Sequence, residues 1–141
     1  MALPNGAGGY QVGDGNLGEI SFYNTDAPAA LTGASVTITA AQLAGGLCTM
    51  DPGSTSAGTY VFPTGALLDA AFPSLKVGST FDFRVINTTT AGVITMTTNT
   101  GWTIGSGGSQ GLMTIAATAG TVRSFRARRL GDNSWALYAI S

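Results

Sequence analysis

Hydrophobic and polar positions alternate most clearly in the second half of the chain. In residues 80–87 (TFDFRVIN), Phe81, Phe83 and Val85 fall on one side and Asp82 and Arg84 on the other. That period of two is the signature of a half-buried strand. Residues 87–92 read as a loop, and residues 93–98 as a Thr-rich strand running back. Residues 101–104 predict another short strand, residues 105–111 (GSGGSQG) a loop, and residues 112–118 a strand turned by Ala119-Gly120. Residues 121–130 (TVRSFRARRL) return, Gly131-Asp132-Asn133 turns the chain, and residues 134–140 (SWALYAI) close it.

The first half is less regular. Residues 19–24 (EISFYN) have the aromatic and β-branched content of a strand, and residues 26–33 read as a Pro- and Ala-containing loop. Residues 35–39 alternate as a strand. Thr39 is placed to N-cap Ala40-Ala41-Gln42-Leu43, which Gly45-Gly46 stops. Residues 47–50 and 59–62 predict strands on either side of the Asp51-Pro52-Gly53 turn. Thr64 caps a second helix over residues 66–72, ended by Pro73, with Leu67, Leu68 and Ala71 on one face as a lid over one end of a sheet. Residues 1–18 contain Gly6, Gly8, Gly9, Gly13, Gly15 and Gly18 and few side chains that pack, so they are expected to form an extended arm. The chain thus divides into an arm, 1–18, and a body, 19–141. Strands separated by turns every eight to twelve residues predict an all-β body. The expected fold is an antiparallel β-sandwich of jelly-roll type with two short helices.

Composition narrows the function. At 141 residues the chain has room for one core. Only 9% of residues are charged, six Lys and Arg against seven Asp and Glu, and there is no His and one Cys. A His-based triad, a His-ligated metal and an intrachain disulfide are excluded. A net charge of −1 argues against a nucleic-acid binder that works by neutralising phosphates. Mean hydropathy is +0.26. Such a surface is either Thr-rich and hydrated or covered by other subunits, and weak colloidal protection favours the covered surface. The start of the chain lacks a basic and apolar leader pattern, and the uncharged stretch 85–122 is too interrupted to span a membrane. We therefore expect synthesis in a cytosolic environment, with Cys48 a reduced, buried thiol.

Candidate chemistry is sparse. Gly13-Asp14-Gly15-Asn16-Leu17-Gly18 matches a dinucleotide-binding pattern, but a strand-like sequence follows it where a helix is required. The seven carboxylates do not cluster, so neither glycoside hydrolysis nor calcium binding gains support. Cys48 has no His partner for nucleophilic catalysis. Arg123, Arg126, Arg128 and Arg129 form the one dense charge group. They read equally as the solvated face of a strand or as a subunit contact pairing with a neighbour's carboxylates. Trp102 and Trp135 are core or interface anchors by default, although Trp102 offers a glycan contact if the chain is an adhesion module of a phage tail or fibre. Asn87-Thr88-Thr89 is a formal glycosylation sequon.

Several segments together resemble a known class. They are LPNGAGGYQVGDGNLGE, TAAQLAGGL, TGALLDAAF, VGSTFDFRVINTTTAGVITMTT, GWTIGSG and TVRSFRARRLGDNSWALYAIS. They resemble the small capsid decoration, or cement, proteins of tailed bacteriophages, particularly marine ones. The resemblance implies a non-enzymatic β-sandwich subunit (jelly-roll-like or tumour-necrosis-factor-like), a homotrimer on the outer capsid surface bound to the major capsid protein. It implies no cofactor or metal, and neither nucleic acid nor membrane as partner. On this reading Leu3, Pro4, Tyr10, Arg126, Arg128, Arg129 and Trp135 are the expected capsid or subunit contacts.

Overall fold

The computed structural model describes residues 28–53, 57–104 and 113–140. The strand expected at residues 19–24 and the extended arm lie outside them. The described residues form β1 (Ala29–Thr32), β2 (Ser35–Thr37), α1 (Ala40–Ala44), β3 (Leu47–Asp51), β4 (Gly58–Val61), α2 (Gly65–Ala71) and β5 (Thr80–Asn87). There follow β6 (Ile94–Thr97), β7 (Trp102–Thr103), β8 (Thr114–Ile115), β9 (Val122–Gly131) and β10 (Ser134–Ala139).

The strands build a six-stranded sheet, β1-β3-β5-β9-β10-β7, and a four-stranded sheet, β2-β4-β6-β8. From β1 to β9 each strand lies in the sheet opposite its predecessor's, and among the described strands only β9 and β10 follow one another within a sheet. Parallel neighbours need a crossover connection, and a strand in the other sheet supplies it between β1, β3 and β5 and between β2, β4 and β6. In register, β1, β3 and β5 pair in parallel, as do β2, β4 and β6, and β7 pairs in parallel with β10. Antiparallel pairing is confined to β5–β9, β9–β10 and β6–β8. This corrects the purely antiparallel sandwich expected from the sequence: the body is β-rich with two helices, but its sheets are mixed. Strand periodicity reports which face is buried and carries no information on direction.

The inner faces share one core. Phe83, Val85, Phe125, Trp135 and Leu137 come from the larger sheet, and Tyr60, Ile94, Met96 and Ile115 from the smaller. Each such side chain, fully buried, contributes roughly 1.5–3 kcal/mol over leaving it in water. Asn87 is the one polar residue wholly buried among the described residues, and it is satisfied. Its Nδ2 donates to the carbonyls of Gly92 and Ala116, both at 2.9 Å, and its Oδ1 accepts from Thr89 N at 3.0 Å.

Both helices lie where the chain crosses from the smaller sheet to the larger. The N-cap expected at Thr39 is present and closes as a capping box: Thr39 Oγ1 accepts from Gln42 N at 3.2 Å, and Gln42 Oε1 from Thr39 N at 2.9 Å. Thr64 caps α2 in the same sense. Only Leu68 of the expected α2 face is buried; Leu67 is 57% exposed. Two turns of helix give a stripe one residue wide. A second difference is β1, which occupies part of the expected 26–33 loop. Its Ala-rich sequence has little strand propensity, and pairing with β3 overrides it.

Candidate functional site

The outer face of the six-stranded sheet carries the arginines. In β5 the inward positions are Phe83 and Val85, so Thr80, Asp82, Arg84 and Ile86 point outward. In β9, with Phe125 and Ala127 inward, the outer positions are Val122, Ser124, Arg126, Arg128 and Leu130. Register then fixes the neighbours. Asp82 lies opposite Arg126, Thr80 opposite Arg128, Arg84 opposite Ser124, and Ile86 opposite Val122. On the far side of β9, Tyr138 lies opposite Arg126.

Arg126 holds Asp82 through two bonds, Nε to Oδ1 at 2.6 Å and Nη2 to Oδ2 at 2.8 Å. Those bonds hold the Asp82 carboxyl below its ordinary range, and the charge of nearby Arg84 adds to the effect. Arg126 binds this carboxylate and Arg84 adds its charge, while Arg128 lies opposite Thr80. One end of the face is basic. The other is aliphatic, with Val122 and Ile140 exposed and Ile86 alongside; Ile140 N donates to Ser124 O at 2.9 Å. Beside the basic end, below the helical corner, lies a half-open groove of about 850 Å³. Leu47, Phe72, Leu75 and Phe81 form its apolar lining, with Asp82, Arg84 and Arg126 on the rim.

The remaining sequence-predicted residues are placed differently. Arg129 shares the inward side of β9 and is only 13% exposed. It donates to Asp69 through Nε and Nη2, to Asp132 at 2.8 Å and to the Leu75 carbonyl at 3.2 Å. Trp135 is wholly buried and gives its indole N–H to Asp69 Oδ1 at 3.0 Å. These two residues therefore belong to the body's interior and do not share the outer face with Arg126 and Arg128. Asp69 also accepts from Asn133 N at 2.6 Å. The bonds from Arg129, outweighing partial burial and supported by Asn133 and Trp135, lower its carboxyl from the ordinary 3.8 to about 2. Trp102 is half-buried, its ring tilted against those of Phe62 and Trp135, with its N–H on the Pro63 carbonyl at 2.6 Å. Leu3, Pro4 and Tyr10 lie outside the described residues.

Sequence reasoning missed Asp82 and Arg84 as members of this face. The alternation of residues 80–87 had already put both on the polar side; what it withheld was that β9 is the neighbour of β5. Cys48 is buried, and burial pushes its thiol up to about 11. Among the described residues no three His, Cys, Asp or Glu side chains gather as a metal site, and no helix is long and apolar enough to cross a membrane. No family model, curated protein or solved structure matches the chain.

Proposed function

We propose that the chain is a structural virion protein that decorates and cements a bacteriophage capsid, acting as a homotrimer bound to the major capsid protein on the outer surface. It is made in the host cytoplasm and carries out no reaction. The observation that supports this best is the outer face of the six-stranded sheet: three arginines against one aspartate at one end and aliphatic side chains at the other. Arg and apolar groups on one flat surface suit a protein partner, because guanidinium pairs with carboxylates while its neighbours exclude water. The sequence resemblance points the same way, and so does a surface too poor in charge to keep separate chains well apart. Jelly-roll or tumour-necrosis-factor-like topology is not required, since a cement works through its surface. Repetition on a lattice multiplies contacts that are individually weak.

The test is occupancy on intact particles. Purified protein should have the mass of three chains and fill its positions on capsids stripped of it. Arg126→Glu with Arg128→Glu should lose that binding with the melting transition retained. Deleting residues 2–18 should also abolish binding while the body stays folded. A protein that remains a single chain at high concentration and leaves the shells bare overturns the proposal.

A further inference from the structure

The groove beside the arginine face lacks an occupant of matching chemistry among the described residues. Its lining is apolar, and Phe72, Leu75 and Phe81 are only partly buried against the core. On its rim Asp82 and Arg126 satisfy one another, whereas the guanidinium of Arg84 makes no hydrogen bond or salt bridge to a described residue and only lends its charge to Asp82. Such a hollow suits an apolar side chain followed closely by a carboxylate.

The chain enters the body at this place. Ala29 pairs with Cys48, and Cys48 with Val85. Pro28, one residue earlier, is therefore level with Leu47 and Arg84, and two strand spacings from β5 is about 10 Å. Residues 1–27 carry Asp14, Glu19 and Asp26 and no Lys or Arg, a charge of −3. The described body holds all six cations and four carboxylates, a charge of +2. Just before Pro28 stand Ile20, Phe22, Tyr23 and Asp26. At ~3.3–3.6 Å per residue, Phe22 reaches about 20 Å from Pro28, enough to cross β3 and enter the hollow.

We propose that residues 19–26 of the chain's own N-terminal segment occupy this groove, Phe22 and Tyr23 against its apolar lining and Asp26 against Arg84. The segment is then strapped to its own body, and residues 1–18 depart from the edge of the arginine face. This holds whatever surface the protein binds.

Disulfide trapping in the full chain tests it. In a Cys48→Ala background, Ser21→Cys is combined with Ala44→Cys on the groove wall, which leaves Leu47, Phe72, Leu75 and Phe81 of the lining and Phe22, Tyr23 and Asp26 of the occupant unchanged. A control pair joins Ser21→Cys to Val93→Cys at the opposite end of β5. In dilute protein under mild oxidant, the groove pair should close within one chain about tenfold faster than the control, since docking raises the local concentration of the thiol. Arg84→Glu should remove that advantage, and adding Asp26→Lys to it should restore it. Equal rates for the two pairs, no closure of the groove pair in a chain that melts normally, or closure only between chains each overturns the proposal. The last result makes the occupant a neighbour's segment.

Discussion

The guanidinium of Arg129 grips the carboxylate of Asp69 with two donors, Nε at 3.1 Å and Nη2 at 3.0 Å. The contact ties α2 to β9, and Trp135 and Asn133 complete the shell of the same carboxylate. Asp69→Asn keeps the shape but removes the charge and turns an acceptor into a donor facing Arg129. It should lower the unfolding free energy by about 2 kcal/mol, measured as a shift in urea midpoint at constant slope.

The same carboxylate sets an acid limit. Its folded pKa, about 2, lies below the ordinary 3.8. A carboxyl depressed by folding contributes stability in full above its unfolded value and loses it as pH falls through its folded one. Wild-type stability should therefore decline between about pH 4 and pH 2, and Asp69→Asn should flatten part of that decline. A variant with an unchanged acid limb removes Asp69 from the explanation.

Asp82 and Arg126 offer the contrasting pair. Their side chains are 45% and 49% exposed, so water screens the attraction. Arg126→Ala should leave the thermal unfolding midpoint nearly unchanged. If the outer face is the docking surface, the same variant should nonetheless lower capsid occupancy, separating the role of the pair in the fold from its role in contact.

Asn87 should behave as a core residue in spite of its sequon. Asn87→Ala leaves the carbonyls of Gly92 and Ala116 without their donor and should cost about 2 kcal/mol or more. Folded protein offered to a glycosylating system should keep its unmodified mass at this residue, because the amide is wholly buried.

Cys48 should be silent to thiol reagents at pH 8 in folded protein, since its thiol is buried and pushed up to about 11. Labelling should become stoichiometric only in urea, with the same midpoint as the loss of structure. Fast labelling without denaturant contradicts the burial.

Gly101 should resist substitution. Its φ of +91° is one that side-chain-bearing residues rarely adopt, and a Cβ there would strike the Asn133 carbonyl and the Gly65 backbone. Gly101→Ala should destabilise by at least about 2 kcal/mol in thermal or urea unfolding.

How far the sequence could be read depends on the range of the interaction involved. Residues 80–87 announce a strand because one strand needs only its own alternation, and Thr39 announces a helix start because a capping box closes within four residues. Strand partnership is different. That Asp82 faces Arg126, or that Asp69 reaches Arg129, depends on connections dozens of residues long, and no local pattern encodes it. The parallel direction of β1, β3 and β5 was hidden for the same reason. Arg126, Arg128 and Arg129 are near-consecutive in sequence, yet strand alternation and the nearby acid on α2 send the last of them inward.

The route of the chain back and forth between two sheets bears on synthesis. The centre of the larger sheet joins β5 to β9, two strands separated by β6, β7 and β8. A ribosome must therefore release β9 before the middle of that sheet can close, and pairings so distant along the chain form slowly. Nascent chains that stop short of β9 cannot display the arginine face, because Arg126 and Arg128 lie on that strand.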